Sequence, residues 1–188
     1  MVRITAILCG LLLLVACNGA RDLNDAPVPL GDFNLVHNIA VAPKAVKAPL
    51  SRTASEEELV KAMTDANEER FGRYAGARDY HFGISIEGYA LAQPGIPVVF
   101  APKSLLIINL SVWDDAKNLK LTPEPHQITV IESFDQGPLI GSGYTKTAEE
   151  QLKNLTQNAA KQIENYLVAQ NREKGWFNGT PTAAVAAE

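Results

Sequence analysis

The sequence is short of three things, and each shortage excludes a class of protein. Cysteine occurs only twice in 188 residues, at Cys9 and Cys17, so no disulfide-dense scaffold can be built. Positive charge is not in excess: 17 Lys and Arg stand against 21 Asp and Glu, a net charge of −4. Nucleic acid, which is met by a surplus of basic side chains, is therefore not an expected partner. No apolar run reaches the ~20 residues needed to cross a bilayer as a helix. What is present suits a folding chain, with 46% hydrophobic and 20% charged residues, richer in apolar side chains than disordered polymers. The length matches one domain on the usual scale of roughly 100–200 residues.

The longest apolar run, Ile4–Ala16, follows a single basic residue, Arg3, and closes on small residues. A basic start, a short apolar core and a small-residue end make a secretory signal peptide. Its last residues, Leu14-Val15-Ala16-Cys17, resemble the lipobox of bacterial lipoproteins. That resemblance implies a diacylglyceryl thioether on Cys17, cleavage between Ala16 and Cys17, and acylation of the new amino terminus. Ala16 suits the narrow subsites of such a peptidase. Each buried methylene contributes ~0.8 kcal/mol, so one chain holds a protein only marginally while two or three anchor it durably. An Asp after the cysteine favours inner-membrane retention in well-studied lipoproteins. The residue here is Asn18, so the resemblance implies a lipid anchor in the outer membrane, facing the periplasm.

This reading changes the composition of the working protein. Cys9 leaves with the leader and Cys17 carries lipid, which excludes a disulfide or a cysteine metal site. Arg3 leaves as well, moving the net charge from −4 to −5.

Residues 1–16 are thus expected to be the signal peptide, 17–34 the lipidated terminus and a tether, 35–174 a single domain, and 175–188 a tail. Within the domain, Leu35–Val41 alternates as a first strand with Leu35, Ile39 and Val41 on one face. Ser55-Glu56-Glu57-Glu58 is a capping box, opening a helix with Leu59, Ala62, Met63, Ala66, Arg70, Phe71 and Tyr74 at helical spacing and an end near Gly76. Tyr80–Glu87 reads as a strand with Phe82, Ile84 and Ile86 inward, followed by a bulge at Gly88 that shifts the phase to Tyr89 and Leu91. Leu105–Trp113 suits a central strand, Asp114–Asn118 a turn, Gln127–Phe134 a further strand and Leu139–Tyr144 a short edge strand. A second capping box at Thr147–Glu150 starts a long helix with a stripe of Leu152, Leu155, Ala159, Ile163, Tyr166 and Leu167. Lys153, Asn154, Lys161 and Glu164 lie off that stripe. The expected fold is α+β, a two-layer sandwich in which two amphipathic helices cover a mostly antiparallel sheet of four to five strands, in the order β-α-β-β-β-(β)-α.

Chemical motifs are scarce. Gly137–Gly143 lacks the lysine and glycine interval of a phosphate loop, and Gly141-Ser142-Gly143 lacks the spacing of a nucleophile elbow. His37, His81 and His126 fall on or beside strands without ligand spacing, so no metal is expected, and no motif calls for a cofactor. The acidic groups Glu56–Glu58, Glu149-Glu150 and Asp114-Asp115 are accounted for by helix starts and a turn. Two apolar features remain as candidate partner contacts. One is Trp176-Phe177 after the last helix, where packing back onto the domain is the leading reading and partner contact or anchoring at a membrane interface are its alternatives. The other is Ile96, Val98 and Phe100 in the proline-rich stretch 92–102.

With a lipobox followed by this order of elements, and Asn38-Ile39-Ala40-Val41 as its wording, the chain resembles small α/β-sandwich envelope lipoproteins. Examples are the penicillin-binding-protein activator lipoproteins and the curli secretion channel lipoprotein. The long alternating hairpins of a membrane channel are missing. The expectation is a non-enzymatic accessory, binding or assembly module with an envelope protein as partner. The alternatives are an auxiliary component of a lipid or transport system holding a hydrophobic ligand, and an envelope hydrolase.

Overall fold

The computed structural model describes residues 20–93, 104–132 and 146–178. Two helices lie on one face of a six-stranded sheet. The elements are a short 3-10 helix (Ala20–Asn24), β1 (Asn34–Val41), β2 (Val46–Lys47), α1 (Glu56–Phe71), β3 (Asp79–Ala90), β4 (Leu105–Asp114), β5 (Leu119–Lys120), β6 (His126–Ile131) and α2 (Ala148–Lys174). The sheet runs β1-β3-β4-β5, with β2 paired to β3 and β6 to β4. It is mixed: β1 and β2 are parallel to β3, whereas β3–β4, β4–β5 and β4–β6 are antiparallel. A parallel neighbour needs a crossover, and α1 supplies it between β1 and β3. The extra strands relative to the expected four to five are the two-residue pieces β2 and β5.

Both capping boxes form. Ser55 accepts from the Glu58 amide while Glu58 accepts from the Ser55 amide, and Thr147 and Glu150 repeat the arrangement. α1 stops at Gly72, one turn before the expected end, and α2 ends on Gly175 in the left-handed conformation at φ 64°, where glycine has no Cβ to clash. β3 has its inward phase on Phe82, Ile84 and Ile86, with the register shift between Ile86 and Gly88. β4 is central, with Leu106, Ile108, Leu110 and Val112 fully buried. Against them pack Leu59, Met63, Leu155, Ala159, Ile163 and Leu167 from the helices.

Four expectations need correction. First, β1 faces the other way along most of its length. A register shift between Leu35 and His37 flips every later side chain, so Ala40 is buried while Ile39 and Val41 are 59% and 44% exposed. Second, the tether read over residues 17–34 is already bound to the domain at its far end. Leu30 and Phe33 are core residues, and the Phe33 ring lies 5.2 Å from Tyr80, 5.1 Å from Phe177 and 5.6 Å from Tyr74, centroid to centroid. Third, Trp176 and Phe177 are buried at 6% and 0% exposure, so they pack back onto the domain and the alternative of a partner contact falls away. The Tyr80 hydroxyl donates to the Trp176 carbonyl at 3.1 Å, and the Asp32 amide donates to the Phe177 carbonyl at 3.0 Å. The chain backs touch so closely that a Cβ on Gly31, at φ +92°, would lie 2.8 Å from the Phe177 carbonyl oxygen. Fourth, Glu164, read as lying off the apolar stripe of α2, is fully buried because three basic residues converge on it.

Candidate contact surface and a buried ion network

The helices cover only one face of the sheet. On the opposite face, alternation brings out His37, Ile39 and Val41 from β1, His81, Gly83, Ser85 and Glu87 from β3, and Asn109, Ser111 and Trp113 from β4. Register places these side by side: His37 with His81, Ile39 with Gly83 and Val41 with Ser85 across one ladder. His81 meets Trp113, Gly83 meets Ser111 and Ser85 meets Asn109 across the next. The central strand positions carry the smallest residues and the flanks carry the larger ones, which leaves a shallow depression of about 400 Å³. Its floor is Gly83, Ser85 and Ser111, and its apolar sides are Ile39 and Val41 opposite Trp113 and Pro125.

Gly83 keeps the floor low. A Cβ built there would meet only the Ser111 Cβ, at 3.9 Å, so the glycine serves no packing need within the fold. Polar groups sit at the two ends. The Asn109 amide donates to Glu87 at 3.0 Å, and His81 Nε2 lies 3.0 Å from an Asp115 carboxylate oxygen. The His37 and His81 rings stack at 4.8 Å. Trp113 is 42% exposed, a large aromatic with no covering layer among the described residues. Such a surface makes contact through shape and apolar area, with hydrogen bonding at its margins.

Among the described residues the His81–Asp115 pair does not extend to a nucleophile, for His81 Nδ1 is shut off from solvent and has no hydrogen-bond partner there, whereas the relay that activates a serine needs one. Among the described residues no group of three His, Cys, Asp or Glu side chains is placed to hold a metal ion. His126 leaves this region altogether and stacks on Tyr166 of α2 at 3.8 Å. Burial there pushes its pKa down.

A second constellation lies within the helix layer. The carboxylate of Glu164 accepts from Arg70 at 3.0 Å, Lys161 at 2.7 Å and the Tyr74 hydroxyl at 2.9 Å, with Arg73 at 3.8 Å. Arg70 and Lys161 also donate to Asp22 at 2.8 and 2.6 Å. Arg73 adds bonds to the carbonyls of Leu23 and Asp25, both 3.0 Å. Burial opposes ionisation of Asp22, but the hydrogen bonds from Arg70 and Lys161 outweigh it and hold the carboxyl down at about 2. Burial, with Glu164 beside it, pushes the Tyr74 phenol well above its ordinary value. A carboxylate held by this many donors is committed to structure and is not free for acid–base work.

Of the residues expected to carry function, Ala16 and Cys17 lie outside the described residues, as do Ile96, Val98 and Phe100 and the edge strand expected at Leu139–Tyr144. Trp176 and Phe177 serve the core. The open face and the ion network were missed. Parity along Asn109, Ser111 and Trp113 carries the signal for the first; Asp22, distant in sequence from its partners, gives none for the second.

No family model matches the chain, and no curated protein is similar to it in sequence. Among solved structures it is similar to a DUF330-family protein from Xanthomonas campestris, at 12% identity over 80% of this chain and 94% of that one, with a TM-score of 0.49. A putative lipoprotein from Caulobacter crescentus matches at 12% identity over 86% and 100%, TM-score 0.38. A minor lipoprotein from Acinetobacter baumannii matches at 15% over 76% and 97%, TM-score 0.32. Likeness this distant transfers neither family nor function to the chain.

Proposed function

We propose that this protein is a lipid-anchored, periplasm-facing accessory module of the bacterial envelope, held at the outer membrane by Cys17. Its work is to bind another envelope protein through the open face of its sheet. The observation that carries the binding role is that uncovered face, where Ile39, Val41 and Trp113 stay exposed around a floor of Gly83, Ser85 and Ser111. Contiguous apolar surface of this kind marks a contact site. The lipobox at Leu14–Cys17 supports the location.

The alternative of a hydrophobic ligand held between helices and sheet finds less support, because Met63, Leu155, Ile163, Ile108 and Leu110 fill that interface with no exposure. The hydrolase alternative finds no nucleophile on His81 among the described residues. The test is affinity isolation from crosslinked cells of the wild-type protein and a Gly83→Leu variant, which fills the depression from its floor. An envelope protein recovered with the wild type and lost with the variant is the expected result. Recovery of no envelope protein, while the purified protein turns over an acyl or glycan substrate, would overturn the reading.

A further inference from the structure

The ion network ties the amino-terminal segment to a defined side of the domain. We infer that the outer surface of the helix layer faces the bilayer, and that the open sheet face is thereby turned away from it. The inference rests on the lipid-anchor reading and goes beyond it, since an anchor alone does not orient a domain. A tether running from Cys17 to Asn34 would span at most ~60 Å and let any face approach the membrane. The Asp22 carboxylate is bound by Arg70 of α1 and Lys161 of α2, so only four residues separate the lipidated cysteine from a fixed point. The five steps from Cys17 to Asp22 reach at most ~18 Å, little more than the ~10–12 Å diameter of a helix.

The fixed point lies on the side opposite the sheet. Lys161 stands on the solvent flank of α2, away from the core stripe of Leu152, Ala159 and Ile163. Asn165, one turn further along the same flank, is exposed. Arg73 fastens the same segment at Leu23 and Asp25, and the Tyr74 hydroxyl fastens it at the Val28 carbonyl, 2.8 Å away. Clamp and helix layer thus lie on one side of the sheet and the depression beside Trp113 on the other. A partner bound there meets the module from the periplasm, unobstructed by lipid.

The test uses the full-length protein, processed in cells, purified in detergent and placed in vesicles that carry an acceptor dye on a fraction of their headgroups. Thr129 of β6 is exposed and pairs with Ile107 of β4 on the open face. Lipid on Cys17 leaves an introduced cysteine as the only thiol, so Asn165→Cys and Thr129→Cys place a donor dye on the helix flank and on the open face. Mass spectrometry of the amino-terminal peptide is read first, and an unmodified Cys17 overturns the anchor and the orientation together. With lipid present, stronger energy transfer from position 165 than from 129 is expected. That difference should be lost when ten Gly and Ser residues are inserted between Asn18 and Gly19, which leaves the clamp intact, and reduced in Asp22→Ala. Equal transfer from both positions, or stronger transfer from 129, overturns the orientation while leaving the anchor standing.

Discussion

Glu164 shows how much of this fold depends on single side chains. It and Arg70 are each about 1% exposed, so removing Glu164 takes from Arg70, Lys161 and Tyr74 a buried acceptor that water cannot replace. Glu164→Ala should destabilise the protein by about 3–5 kcal/mol in urea unfolding, whereas the paired change Arg70→Met with Glu164→Leu should cost far less. Asp22 gives a pH dependence with a defined sign. Its carboxyl titrates at about 2 in the folded protein, below the ordinary value of 3.8, so its contribution is complete above pH 4. It is lost as the pH falls from 4 towards 2. Protection factors of the amides in Ala20–Asn24, taken against the intrinsic exchange rate at each pH, should therefore fall on acidification through that window in the wild type. In Asp22→Asn the same amides should exchange faster already at neutral pH.

At the scale of elements, the legible parts were those set by local pattern. Capping boxes, the alternation of β3 with its shift at Gly88, and the stripe of α2 are written in neighbouring residues, and all appear in the structure. β1 was misread because a register shift after Leu35 is set by pairing with β3, which strand alternation alone does not report. The burial of Phe33 and Phe177 escaped for a related reason: segments at opposite ends of the chain meet only after the sheet exists. Their interdependence makes Phe33→Ala and Phe177→Ala each costly, by about 3–5 kcal/mol in denaturant unfolding. If either change proved neutral, the packing of both ends onto Tyr80 would be wrong. Gly83→Leu should behave oppositely, leaving the thermal midpoint within a few degrees of wild type because its side chain enters open space.

For the whole molecule, the sequence offers a compartment as an expectation, through the likeness of Leu14–Cys17 to a lipobox, and leaves the open sheet face unseen. The lipobox is a contiguous motif that a peptidase reads as a linear string. The open face is assembled from three strands, and each contributes residues unremarkable by themselves: an Ile and a Val, a Gly and a Ser, a Trp at a strand end. Only the ladder pairing of Ile39 with Gly83 and of Gly83 with Ser111 turns them into one depression. The ion network ties the segment around Asp22 to the helix layer, on which the inferred direction of that depression relative to the membrane rests.

The central claim is that this lipid-anchored module meets its partner through the uncovered face of its sheet. Photo-crosslinking in living cells tests it most directly, with a light-activated residue placed at Ser85 on the open face or at Asn165 on the helix flank. The account predicts a discrete crosslinked envelope protein from Ser85 and none from Asn165. A discrete protein adduct from Asn165, with none from Ser85, would contradict it.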